Sequence, residues 1–241
     1  GNTIVKEGSF IIGRSNALAE NKKVYLQDNV TFGTRYAGEA SEEMSGVGMS
    51  GRHFYFGFTD SDITSDLGST TNTATVNLNL ASGGSFTDTY LHGGENVTVN
   101  INKGWLSVYG NLYKKNMTEN ELLAFYRDKA NHTDNTGENN ANKYSVDEFA
   151  KEIKLTGGTS TSYTYLSLNH GVINADVTLD LYSRIGGAGY INGTVQLNTD
   201  NIINVTDGGP FYAKKILTRD NNVVANGDNL YLNFSSVSVS N

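Results

Sequence analysis

At 241 residues, with no cysteine, one proline and a formal charge of −7, the chain can form one large domain that relies on no disulfide or thiolate metal site. The acidic balance lacks the basic footprint that nucleic acid demands, and no apolar run reaches the roughly 18 residues of a membrane span. Charged residues are only 18%, so solubility rests on 30 Asn and 44 Ser plus Thr, while 14 Tyr and 10 Phe argue against disorder.

Short alternating runs bounded by Gly, Asn, Asp and Ser read as strands, beginning with Ser9–Ile12, Lys23–Leu26, Val30–Phe32 and His53–Phe58. Asp60, Asp62 and Asp66 then crowd one polar stretch. Two close carboxylates share a proton, which makes Asp60 and Asp62 the candidate acid–base pair. All three could instead ligate calcium, which takes six to eight oxygens; the plainer reading is a solvated loop. No other cofactor is called for.

Strands follow at Ala74–Leu80, Asn96–Ile101 and Trp105–Tyr109. In the first of these Val76, Leu78 and Leu80 form an apolar face and Thr75, Asn77 and Asn79 a polar one, the mark of a half-buried strand. The pattern changes at residue 117. Thr118–Glu121 has the form of a capping box, with Leu122, Leu123, Phe125 and Tyr126 behind it. Ser145–Glu148 repeats the box, and Val146, Phe149, Ala150 and Ile153 fall at helical spacing. The spacing predicts a helix–loop–helix insert over 117–155 between strand regions 1–116 and 156–241 of one domain. Such an insert covers a sheet face or edge, or serves as a lid or partner-binding element. Tyr144–Phe149 resembles the second half of an EF-hand, but the positions twelve residues back supply poor ligands.

The remaining strands are Tyr163–Leu168, Val177–Leu181, Thr194–Leu197, Ile202–Val205 and Leu230–Phe234. Asp176 and Asp180 share one face there but stand about 13 Å apart, too far for a catalytic dyad. His92 and His170, each followed by Gly, read as turn residues. Tyr163, Tyr165, Tyr182, Tyr190 and Tyr212 are the candidate binding residues, because aromatic faces stack on sugars while Asn amides bond their hydroxyls. The rival reading is that alternate members fill the core. Strands at unequal intervals with outward Asn and Thr predict an all-β dominated β-solenoid of parallel β-helix type, with a β-sandwich or jelly roll as the alternative.

Residues Gly8–Glu20 (GSFIIGRSNALAE), with Lys23–Leu26 and Val30–Gly33, resemble the autotransporter-associated β-strand repeat. Gly13 closes a strand, Asn16 suits a turn, and Leu18 can plug the end of the stack; Arg14, Glu20 and the Asn21–Lys23 bend depart from the pattern. The resemblance covers residues 8–33 and implies a bacterial secreted or outer-surface protein with a parallel β-helical body. A chain opening on Gly and not Met agrees with a trimmed, exported protein. The expected function is an adhesin-like surface that binds host or environmental glycoprotein, polysaccharide or a neighbouring cell. The alternative is a secreted aspartate-dependent protease or glycosidase acting on mucin-type glycoprotein.

Overall fold

Alternating side chains oblige every strand to find neighbours on both edges and a core on one face, and this chain meets both demands by winding. The computed structural model describes residues 1–13, 17–18, 22–34, 53–65, 72–80, 85–86, 90–93, 96–109, 117–131, 145–146, 151–198, 201–204, 210–226 and 236–239. The first coil carries β1 (Thr3–Val5) and β2 (Ser9–Ile12), and the second β3 (Lys23–Leu26) and β4 (Thr31–Thr34). The third holds β5 (His53–Phe56), α1 (Asp60–Ser65), β6 (Ala74–Asn79) and β7 (Ser85–Phe86). The fourth runs through β8 (Tyr90–His92), β9 (Val97–Lys103) and β10 (Trp105–Tyr109), after which come α2 (Glu119–Asn131) and then β11 (Ser145–Val146), which begins the next coil. The fifth has β12 (Glu152–Leu155) and β13 (Thr164–Ile173), the sixth β14 (Asp176–Leu179) and most of β15 (Ser183–Gln196). β16 (Asn201–Asn204), β17 (Phe211–Leu217), β18 (Val223–Asn226) and β19 (Ser236–Val239) complete the wind.

Stacked coils give three strand columns, each parallel. The first joins β1, β3, β5 and β8, and below them β11 with the second half of β13, the middle of β15 and the start of β17. The second joins β2, β4, β6, β9, β12 and β14 to the ends of β15 and β17. The third joins β7, β10 and the opening halves of β13 and β15 to β16. At the far end β18 and β19 pair antiparallel to β17 and β16.

The core is the inward row of each column. Val76, Val99, Ile153, Val177, Val195 and Ile216 stack in register along the second column, every one fully buried. Each such side chain contributes about 1.5–3 kcal/mol by leaving water. Leu18, expected to plug the stack, is buried in this same core. The chain turns from the third column to the first inside β15, where Gly187 adopts φ +82°. A Cβ there would land on the carbonyl oxygen of Leu168 in the coil above, so both backbone angle and space require glycine.

The β-solenoid expectation agrees with this architecture. The helical insert needs one correction. α2 forms, with the expected capping box: the Thr118 backbone N–H donates to Glu121 Oε2 (2.7 Å) and the Glu121 N–H to Thr118 Oγ1 (3.3 Å). The second expected helix does not occupy its span, since Ser145–Val146 and Glu152–Leu155 are strands. Ile153 and Leu155 sit between Val99 and Val177, and Ile101 and Leu179, so ladder pairing overrides the local helical spacing. Residues 147–150, the positions 137–142 that precede the EF-hand-like stretch Tyr144–Phe149, and the run 230–234 lie outside the described residues.

Both helices cover the outward face of the first column. Tyr25 and Tyr55 stack at 4.7 Å and pack with Phe58 and Ile63 of α1. Further down, Val172, Tyr190 and Tyr212 align in register beneath Leu122, Leu123 and Tyr126 of α2. The second column faces outward with a polar ladder, in which the Asn100 and Asn102 amides donate to Asn77 Oδ1 (3.1 and 3.3 Å). No helix among the described residues is long and apolar enough to cross a membrane.

Candidate ligand-binding groove

The corner between the second and third columns changes length from coil to coil. In the fourth coil one residue, Gly104 at φ 82°, turns β9 into β10. In the sixth, residues 180–182 suffice, with Tyr182 in the left-handed region (φ 54°). In the fifth, residues 156–163 intervene between β12 and β13 and must stand out from the stack. Gly157 and Gly158 let this longer corner pass between its neighbours, because a Cβ on either would strike a carbonyl oxygen, of Asn102 or Tyr182. The protruding tip is stiffened by reciprocal backbone bonds between Thr159 and Ser162 (2.9 and 3.1 Å) and by the Ser162 N–H donating to Thr159 Oγ1 (3.0 Å). At its base the Thr164 hydroxyl donates to the Thr156 carbonyl (2.7 Å).

Beside this tip lies a groove of about 260 Å³, lined by Lys103, Trp105, residues 160–162, Tyr163 and Arg184. Register explains the set. Leu106, Leu166 and Ile185 stack inward, so the preceding residues Trp105, Tyr165 and Arg184 form the outward row of the third column. Trp105 meets Tyr165 edge-on at 5.5 Å and keeps 39% of its surface exposed. The Arg184 guanidinium lies 4.4 Å over the Tyr163 ring, and Tyr163 meets Tyr182 edge-on at 5.8 Å. Arg184 Nε is buried and makes no hydrogen bond to any described residue. The result is an aromatic and cationic surface with hydroxyls along one wall, able to stack a ring and bond an anion.

The five expected tyrosines separate here. Tyr163 lines the groove and Tyr182 supports it. Tyr165 sits in the same outward row but is only 6% exposed beneath Trp105. Tyr190 and Tyr212 are buried under α2, which leaves neither ring free to meet a ligand. Trp105, Arg184 and the 160–162 wall were not singled out by sequence. Their signal is that Trp105, Tyr165 and Arg184 each stand one residue before an inward aliphatic, which identifies a row only once the coils are registered.

Of the three expected carboxylates, only the side chain of Asp60 is among those described. Asp60 opens α1 and accepts hydrogen bonds from Lys6 Nζ (2.6 Å) and Gln27 Nε2 (2.9 Å). These bonds, that from Lys6 first, hold its carboxyl below the usual range, so Asp60 ties α1 to the first two coils as an anion. The Asp62 side chain and Asp66 lie outside the described residues, and no three His, Asp or Glu converge as metal ligands among the described ones. His170 sits at a β-bulge with φ 58° and its Nδ1 lies 2.7 Å from the Tyr126 hydroxyl, which fastens α2 to β13. Burial lowers the pKa of this imidazole. Comparison of the chain with family models, curated proteins and solved structures found no match.

Proposed function

We propose that this chain is a secreted or cell-surface β-solenoid module that binds glycan, carried on host glycoprotein, polysaccharide or a neighbouring cell, through the groove at Trp105 and Tyr163. The observation that carries the reading is the exposed Trp105 ring beside a wall of Ser and Thr hydroxyls, mounted on stacked strands and not on a loop alone. Aromatic faces take the apolar face of a sugar ring while hydroxyls exchange hydrogen bonds with its rim. Backbone bonds fix the wall before any ligand arrives, which lowers the ordering cost of binding. The compartment belongs to the proposal too: it rests on the resemblance of residues 8–33 and on a surface rich in Asn, Thr and Ser.

Trp105 is the only tryptophan, so its emission reports directly on this groove. Titration with a panel of mucin-type and polysaccharide-derived oligosaccharides should shift that emission for at least one member. Calorimetry with Trp105→Ala should show that ligand weakened by about tenfold or more. A folded wild-type protein whose emission no saccharide alters would remove the reading, and so would full affinity in Trp105→Ala.

A further inference from the structure

The groove's charge narrows the ligand further, an inference that rests on the glycan reading above. We propose that it recognises an acidic saccharide, a uronic acid or similar sugar carboxylate, with Arg184 as the carboxylate receptor and Trp105 as the stacking platform.

Three observations converge on this. The first is the posture of Arg184. Its guanidinium lies over the Tyr163 ring, and Tyr163 is in turn braced by Tyr182, so the planar fork is oriented before ligand arrives. The second is an unmet donor. Arg184 Nε is buried and bonds to no described residue, so the guanidinium is held by the Tyr163 ring and not by an acceptor of the chain, and the part of it that lines the groove gains most from an ionised acceptor. A carboxylate fits, because its two oxygens match two parallel N–H groups of the fork. The third is local charge. Among the described residues the groove lining holds Arg184, with Lys103 at its edge, and no Asp or Glu, in a chain whose net charge is −7. A neutral ligand would need no cation at this place, whereas an anion is served by Arg184.

The spacing agrees with a saccharide and not a lone small anion. Trp105 and Arg184 flank Tyr165 in adjacent ladders, two strand spacings or about 9.5 Å apart. A ring stacked on Trp105 therefore places a neighbouring unit, and its carboxylate, near Arg184.

The test compares a uronate oligosaccharide with its carboxyl-reduced counterpart, in which each carboxylate has become a primary alcohol. Calorimetry should give at least about tenfold tighter binding of the acidic form, and the ratio should shrink as salt rises. Arg184→Gln should bring the two affinities together, Arg184→Lys should keep only part of the preference, and Trp105→Ala should weaken both ligands alike. Circular dichroism and thermal melting establish that each variant is folded, and the Lys variant keeps the charge if Gln is not. Equal binding of the two ligands by the wild type would overturn the acidic preference while leaving glycan binding intact. A preference that survives in Arg184→Gln would displace Arg184 as the receptor. Binding of neither ligand by the folded protein would overturn both proposals.

Discussion

On the first column, outward rings are covered: Tyr25 and Tyr55 by α1, Tyr190 and Tyr212 by α2. On the third column the outward residues Trp105 and Arg184 border an open groove, and only Tyr165 between them is hidden. Both faces arise from the same alternation on the same wind, and both present aromatic side chains away from the main core. The difference lies in what the intervening chain does. Before β6 and after β10 it forms helices that dock on the first column, while between β12 and β13 it forms a stiff turn that walls the third. An outward aromatic is thus core or contact surface according to its cover, and not according to its place in the strand.

The sharpest break in this contrast is Tyr126→Ala. Tyr126 is fully buried, and removing its ring should cost about 3–5 kcal/mol, read by denaturant unfolding together with loss of amide-exchange protection across α2. A cost no larger than that of Trp105→Ala would mean the two faces are not covered differently.

A smaller effect is expected from pH. His170 is favoured neutral in the folded state, so its pKa lies below the unfolded value of 6.5 and the unfolded chain binds more protons in that window. The contribution is complete above pH 6.5 and declines as pH falls from there towards the folded pKa. Melting temperature should drop with acid more steeply in the wild type than in His170→Asn, where Asn tolerates the left-handed φ of 58° but does not titrate. Parallel pH profiles for the two proteins would remove His170 from the account.

The smallest stability effect belongs to the open face. Trp105→Ala should change unfolding free energy by no more than about 1 kcal/mol, since its ring is partly exposed, while abolishing most binding. A large loss of stability would recast Trp105 as a core residue.

Much of the wind was legible in the chain. Ser9–Ile12, Lys23–Leu26 and Trp105–Tyr109 are strands with the expected bounds, and the capping box at Thr118 begins a helix. Thr3–Val5 and Phe211–Leu217 escaped notice, the first for its shortness and the second because Lys214 and Lys215 interrupt the alternation. Ser183–Gly193, rich in glycine, shows no alternating run of its own, yet it belongs to the continuous strand β15 that turns two corners. Of the groove, Tyr163 alone was chosen for the part it takes.

The sequence by itself determined an all-β dominated body, because side-chain alternation is a local property and each period-2 run carries its own inward face; that the strands wind in parallel and do not close as a sandwich was decided by the pairing. Only the tertiary structure decided which outward residues meet. Trp105, Tyr165 and Arg184 become neighbours through coil-to-coil register, and register depends on corner lengths that no local pattern encodes. Cover by a helix or a turn, which separates a hidden tyrosine from a usable one, is likewise a long-range outcome of packing.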